Sequence, residues 1–156
     1  MMEVYLCRQD VHEKLNEILN RKLSQPFEIL KTENGKPYIE GNPLYFSLSH
    51  SGNCGVIAIA DRPVGADIEI FADRLRISVI ERFSEREQAE IADERDFLKH
   101  WTAREAYIKL YGYTIAELWR RVEFLGEKLY LDGKQLNVKI RHYNLPCGVA
   151  AVCTEE

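Results

Sequence analysis

The longest unbroken apolar run in this chain is seven residues, CGVIAIA (54–60), and a near-copy, CGVAAVC (147–153), lies close to the other end. Seven residues make one buried strand and fall far short of the roughly 20 that span a bilayer. Any core must therefore be assembled from short pieces. The two runs match at four of seven positions, and each follows a histidine, His50 or His142, by four or five residues. Small apolar residues coincide readily, so the match alone only hints at two related halves. With 156 residues, 46% apolar and 29% charged, the chain has material for one packed domain and is too apolar for a disordered tail.

Strand and helix patterns alternate between these runs. Residues 3–8 read as an opening strand. Asp10 is placed to cap a helix with Val11, Leu15, Ile18, Leu19 and Leu23 on one stripe, and Pro26 bars its continuation. Asn34-Gly35 signals a turn before a short extended run. FSLSHS (46–51) alternates apolar with polar, and VGADIEI (64–70) is a further strand after the Arg62-Pro63 turn. Ser84 and Glu87 have the spacing of a capping box for a helix through about Ala92, and a longer helix from about Asp96 to Tyr111 stops at Gly112. Strands around 129–131 and 136–140 flank Asp132-Gly133, a hairpin signal, and the 147–153 run closes the chain. The predicted class is α+β. No Gly/Ser linker interrupts it, so residues 1–156 read as one domain, with a shortened amino-terminal half of about 1–70 and a carboxyl-terminal half of about 71–156.

Charge and cysteine usage narrow the function classes. A net charge of −4 argues against a generic nucleic-acid binder. The opening MMEVYLCRQD carries Glu3 and Arg8 where a secretion signal needs an apolar run, so the predicted location is cytoplasmic with no membrane partner. Cys7, Cys54, Cys147 and Cys153 form no CxxC pair and have no zinc-finger spacing. They read as small apolar residues, with neither disulfide nor zinc.

Three segments carry candidate chemistry. On a strand, Asp67 and Glu69 share one face while Ile68 points to the core, with roughly 6 to 7 Å between the two acidic residues. Such a pair is either a solvated strand face or the start of a hard-cation site. In WTAREAYIK (101–109), Trp101, Glu105 and Lys109 fall on one helical face, with Arg104 on an adjacent one. Glu105 and Lys109 make either a surface pair worth about 0.3–0.5 kcal/mol or a third carboxylate with a phosphate-binding cation. Ser49 and His50 alternate across a strand, so the histidine is badly placed to activate the serine, and no G-x-S-x-G elbow exists. Hydroxyls and an imidazole at a strand end suit phosphate binding better. Lys36, beyond the Asn34-Gly35 turn, is an exposed lysine or a phosphate ligand; His12, His100 and His142 carry no supporting pattern.

Taken in order, GKPYI, FSLSHS, VGADIE and WTAREAYIK resemble the 4′-phosphopantetheinyl transferases, of the type that activates peptide synthetases such as that for surfactin. The family run is approximately GKP, F-x-x-SHS, G-x-D-x-E and W-x-x-KEA-x-x-K, and the matching blocks span Gly35 to Lys109. The resemblance implies two similar α+β halves, each a small antiparallel sheet with a helix, and coenzyme A in the cleft between them. It implies magnesium-dependent transfer of the phosphopantetheine arm to a serine of an apo acyl or peptidyl carrier protein, releasing 3′,5′-ADP. By position it implies that Asp67, Glu69 and Glu105 bind Mg²⁺, with Mn²⁺ as an alternative. Ser49 and His50 match contacts to the adenosine 3′-phosphate, Lys36 a further nucleotide contact, and Lys109 the lysine beside the pyrophosphate.

Two departures stand out. Arg104 replaces the lysine of the KEA triplet, keeping the charge toward the coenzyme but not the geometry, and the chain is shorter before GKPYI than is typical. The shorter, trimeric transferases of fatty-acid synthesis carry their D-x-E-type block near the start, unlike residues 67–69 here. In this reading Glu105 takes the proton from the carrier serine, directly or through a metal-bound water, with Lys109 as charge stabiliser. Arg74, Arg76, Arg82 and Arg86 offer a docking patch for an acidic carrier, with Leu75, Ile77, Val79 and Ile80 either adding apolar contact there or belonging to the core. A single chain with two halves can close its own cleft, so a monomer is predicted. Two rivals remain: a non-catalytic module that binds coenzyme A or a carrier, and a phosphate-ester hydrolase using the same acids.

Overall fold

The computed structural model describes residues 1–156. In chain order it contains β1 (Met2–Cys7), α1 (Val11–Lys22), β2 (Ile29–Lys31), β3 (Pro37–Ile39), β4 (Tyr45–Ser51), β5 (Cys54–Ala60), β6 (Val64–Ile70), α2 (Ile77–Ile80), α3 (Glu85–Glu90), α4 (Glu94–Tyr111), α5 (Ile115–Leu118), β7 (Val122–Leu125), β8 (Lys128–Leu131), β9 (Lys134–Gln135), β10 (Val138–Leu145) and β11 (Gly148–Glu155). Local signals account for many of these boundaries. The Asp10 carboxylate accepts from the backbone N–H groups of His12 and Glu13, satisfying donors at the start of α1. Gly112 takes a left-handed conformation that closes α4. Asp132 and Gly133 both have positive φ, the requirement of the tight turn between β8 and β9. No helix is long and apolar enough to cross a membrane.

The two apolar runs become the central strands of two sheets of the same design. One sheet has the order β1-β5-β4 and the other β10-β11-β6, with every pairing antiparallel. Each is built in the same chain order of strand, helix and hairpin, the last strand inserting between the other two: β1–α1–β4–β5 and β6–α4–β10–β11. The weak sequence repeat therefore has a structural counterpart. It also moves the expected boundary. Because β6 pairs with β11 and not with β5, the halves divide at the 61–63 turn rather than after residue 70.

Strand alternation decides what each face meets. Val56 and Ala58 of β5, Ala66 and Ile68 of β6, and Ala150 and Val152 of β11 form one buried cluster between the halves. Ile57 and Ile59 face the other way, against Val11, Leu15, Ile18 and Leu19 of α1. The outer face of the second sheet presents Ala151 and Cys153 to Ala103, Ala106, Tyr107 and Leu110 of α4. A Cβ added at Gly65 would lie 1.9 Å from the Ala106 carbonyl, so only glycine lets α4 lie this close to β6.

The carboxyl-terminal half is enlarged by α2, α3, α5 and the β7-β8-β9 sheet, with Phe83, Phe97, Leu98 and Trp119 in a satellite core. Here the expected capping box fails in part. Ser84 accepts from the Glu87 N–H, but the Glu87 carboxylate does not turn back toward the cap. It is buried, bonded to Arg104, His100 and the Phe124 N–H. α3 ends at Glu90, short of Ala92.

Candidate active site

β4 and β6 belong to different sheets, and serine hydroxyls join them side to side. Ser47 Oγ accepts from the Ala66 N–H at 2.9 Å, and Ser51 Oγ accepts from the Ile70 N–H at 3.2 Å. Ser49 Oγ donates to Asp67 Oδ1 at 3.0 Å, and Ser51 Oγ donates to Glu69 Oε1 at 3.1 Å. The polar positions of the FSLSHS alternation thus form a seam between the halves. Asp67 and Glu69 lie on one face of β6, as their spacing requires, while Ile68 is 2% exposed in the core behind them.

The close seat of α4 on Gly65 brings Glu105 and Lys109 to this seam. Lys109 Nζ donates to Asp67 Oδ1 at 2.8 Å. Asp67 and Glu105 are 5% and 6% exposed, and Asp67 Oδ2 and Glu105 Oε1 are buried with no hydrogen-bond partner. Burial pushes the Asp67 carboxyl up, against the pull of Lys109. Burial and then the Asp67 charge push Glu105 up to about 7, again opposed by Lys109. Two buried, partnerless carboxylate oxygens whose charges act on each other are costly without a cation, and their hard-oxygen chemistry fits Mg²⁺ or Mn²⁺. Glu69 is placed differently. Its Oε1 is held by Ser51 and, at 3.3 Å, by Arg76. No three His, Cys, Asp or Glu side chains are already grouped to hold an ion.

Recesses flank the acids. A cleft of about 410 Å³ is bordered by Ser47, Leu48, Glu105, Ile108, Lys109 and Ile115. Three residues along β4, a second recess of about 290 Å³ is formed by Arg8, Asp10, His12, His50 and Asn53. His50 is exposed there, on the opposite side of the strand from Ser49. An apolar recess of about 400 Å³ beyond Lys36, lined by Tyr38, Phe46 and Leu110, contains none of the acids.

Three residues expected at a coenzyme have their polar groups engaged with the protein: Ser49 with Asp67, and Lys36 and Arg104 as follows, although Lys36 also borders the cleft of about 410 Å³. Lys36 Nζ donates to the Val64 and Leu110 carbonyls at 3.0 Å each and to the Lys109 carbonyl, clasping the last turn of α4 to the start of β6. Burial holds this amine down at about 8. Arg104 is 1% exposed, bonded to Glu87 at 2.7 Å and the Val122 carbonyl at 2.6 Å. Its guanidinium lies over Phe83 and Trp119, at 4.5 and 4.7 Å from the ring centroids. Burial would raise Glu87, but His100, Arg104 and the Phe124 N–H together hold it below the usual carboxylate range. The adjacent helical face of Arg104 therefore serves the core and not the cleft.

Four contributors, Gly65, Arg76, Arg8 and His12, are not assigned to the site by sequence spacing. Gly65 was visible only as part of VGADIE, although a glycine two before the acid is the signal for a close helix. Arg76 reaches back to Glu69 across seven residues, a contact no local pattern announces. Arg8 and His12 join His50 only through the β1–β5–β4 pairing.

The profile described as 4′-phosphopantetheinyl transferase superfamily matches residues 63–142, from the start of the second repeat into β10. The chain is 31% identical to the 4′-phosphopantetheinyl transferase psf-1 of Bacillus pumilus over 159 aligned positions, covering 91% of this chain and 68% of that protein. It is 38% identical to the 4′-phosphopantetheinyl transferase AcpT of Salmonella typhi over 105 positions, covering 61% and 55% respectively. Against the 4′-phosphopantetheinyl transferase gsp of Aneurinibacillus migulanus it is 34% identical over 113 positions, covering 63% and 47%. The chain thus spans about half to two thirds of the length of these relatives.

Proposed function

Because this chain belongs to the 4′-phosphopantetheinyl transferase superfamily, we propose that it moves the 4′-phosphopantetheine arm of coenzyme A onto a serine of an apo acyl or peptidyl carrier protein. The co-product is 3′,5′-ADP. The observation that carries the reading is the pair of partnerless buried oxygens on Asp67 and Glu105, with the Lys109 ammonium beside them and a recess on either side.

A coenzyme laid along β4 puts its 3′-phosphate among His50, Arg8 and His12, its diphosphate at the acids, and its arm in the cleft bordered by Ile108 and Ile115. Asp67, Glu69 and Glu105 would hold a divalent magnesium ion, manganese being an alternative, and that ion would supply the positive charge a diphosphate needs beside three acids. Lys109, 34% exposed at its side chain, donates to the diphosphate oxygens. Arg76 keeps Glu69 turned toward the site. Glu105 takes the proton of the carrier serine as its oxygen bonds to the β-phosphorus and the bond to the α-phosphate breaks.

The carrier docks beside the arginine-bearing stretch after β6, where Arg74 is exposed and Leu75 and Ile77 are 40% and 62% exposed. The enzyme works as a cytoplasmic monomer, its two halves closing the cleft from within one chain.

The test is mass spectrometry of apo carrier proteins incubated with coenzyme A and Mg²⁺. A gain of about 340 Da on the carrier, the mass of the arm, supports transfer. Coenzyme binding with no gain on any carrier makes the protein a binding module. Phosphate release without a carrier makes it a hydrolase.

A further inference from the structure

The repeat places two thiols against each other. Cys54 opens β5 and Cys147 sits in the turn before β11, each immediately before the glycine of its central strand, Gly55 and Gly148. They are equivalent positions in the two halves. Equivalent residues near an approximate two-fold axis meet each other, as they do across an isologous dimer interface. The two Sγ atoms are 2.7 Å apart, although 93 residues separate them along the chain. Cys54 is 5% exposed and Cys147 is half-buried, so the pair has one accessible member. The other thiols are not so placed. Cys7 Sγ turns to the Gln9 carbonyl, and Cys153 is wholly buried, its thiol pushed up to about 12.

We propose that Cys54 and Cys147 are a modification site for hydroperoxides, oxidised to a disulfide that staples one half of the molecule to the other. The Cys147 thiolate attacks a peroxide oxygen; an S–O bond forms, the O–O bond breaks, and the departing hydroxide takes a proton to become water. Cys54 sulfur then displaces the sulfenic oxygen. The S–S bond forms, the S–O bond breaks, and the Cys54 proton leaves with that oxygen as a second water. Two thiols lose two electrons and two protons, and hydrogen peroxide is reduced to two waters.

The location gives the bond its consequence. It ties β5 to the β10–β11 turn, linking sheets otherwise joined by an apolar cluster and serine hydroxyls. Gly52, in the β4–β5 turn, already abuts Ile70 at this end, where an added Cβ would lie 2.6 Å from Ile70 Cδ1. Closing so long a loop constrains the unfolded chain, and for this length raises the melting temperature by up to roughly 10–20 °C. The inference does not depend on what the cleft binds.

The full chain, reduced and then treated with hydrogen peroxide, is digested without reductant and melted in parallel. Expected are a loss of about 2 Da from the intact protein, one peptide joining Cys54 to Cys147, and a rise in melting temperature that dithiothreitol reverses. Cys147→Ser loses both the linkage and the rise, whereas Cys7→Ser keeps both. Linkage through Cys7 or Cys153, cross-linked dimers, or peroxide treatment that leaves both thiols free for alkylation overturns the proposal. So does a linked pair with no change in melting temperature.

Discussion

The two halves share one topology yet differ in what lies over the helix. In the amino-terminal half, α1 has 12 residues and buries one stripe, Val11, Leu15, Ile18 and Leu19, against its sheet. In the carboxyl-terminal half, α4 has 18 residues, of which 11 are buried, including Thr102, Arg104 and Glu105. Covering α4 on several sides is what makes its charged residues consequential. Where water reaches a Glu–Lys pair it is worth little; where α3, β7 and the seam exclude water, each charge must find a partner or shift its protonation. One frame thus serves as scaffold on one side and as the seat of the acids on the other. The amino-terminal half contributes the β4 serines and the recess formed by Arg8, Asp10, His12 and His50.

This contrast can be broken most forcefully at Arg104. Arg104→Ala leaves Glu87 buried and under-compensated and is expected to cost about 3–5 kcal/mol, read as a loss of denaturation midpoint, while Arg21→Ala on exposed α1 changes it by at most about 0.5 kcal/mol. If Arg104→Ala instead raised the coenzyme KM at full stability, the arginine would belong to the cleft after all.

Next in size, Glu105→Gln is expected to lower kcat by about 100-fold, near 2.7 kcal/mol, with coenzyme affinity changed far less. Unchanged turnover in that variant removes Glu105 from the proton transfer. Gly65→Ala is expected to cost about 1–3 kcal/mol because the new methyl meets the Ala106 carbonyl, and to reduce turnover by lifting Glu105 and Lys109 off β6. Stability and turnover both at the wild-type level would show that α4 does not need this close seat.

The smallest effect is in pH. Glu105, raised to about 7 in the metal-free fold, holds a proton there that the unfolded chain loses near its ordinary value. Its contribution to stability is full below about 4.5 and is lost as pH rises through about 7. A cation must displace the same proton, so Mg²⁺ affinity is expected to rise about tenfold from pH 6 to 8 and then level off. Calorimetry in buffers of different ionisation enthalpy measures the proton released; none at pH 6 contradicts the raised carboxyl.

What could be read in advance follows the range of the interactions. The Asp10 cap, Gly112 and the turn at Asp132-Gly133 are set by neighbours in sequence and appear as read. So does the α1 stripe up to Ile18 and Leu19, with Leu23 just past the helix. The hairpin, however, closes on Lys134–Gln135, and the strand expected at 136–140 begins at Val138 and pairs with β11. The strand character of residues 64–70 was equally plain, but its allegiance to β11 was not, since that pairing spans almost the whole second half. Ser84 and Glu87 show the limit sharply. Their spacing permits a reciprocal cap, yet the carboxylate finds stronger partners in His100 and Arg104, which lie on a later helix. Thr114 and Glu117 do form a reciprocal cap for α5, a short helix the periodicity of the chain gave no reason to expect. At the site, spacing put Asp67 and Glu69 on one face and Glu105 with Lys109 on another. Only Gly65 and the seam bring Glu105 and Lys109 to Asp67.

The serine seam also predicts how the molecule comes apart. Within each sheet, adjoining strands exchange backbone hydrogen bonds, whereas the amides of Ala66 and Ile70 rest on hydroxyls that can rotate away. Parting the halves needs no strand to leave its own sheet. Deuterium is therefore expected to reach the Ala66 and Ile70 amides well before those of β5 and β11. The line along which coenzyme is proposed to lie is also the line of least resistance to solvent.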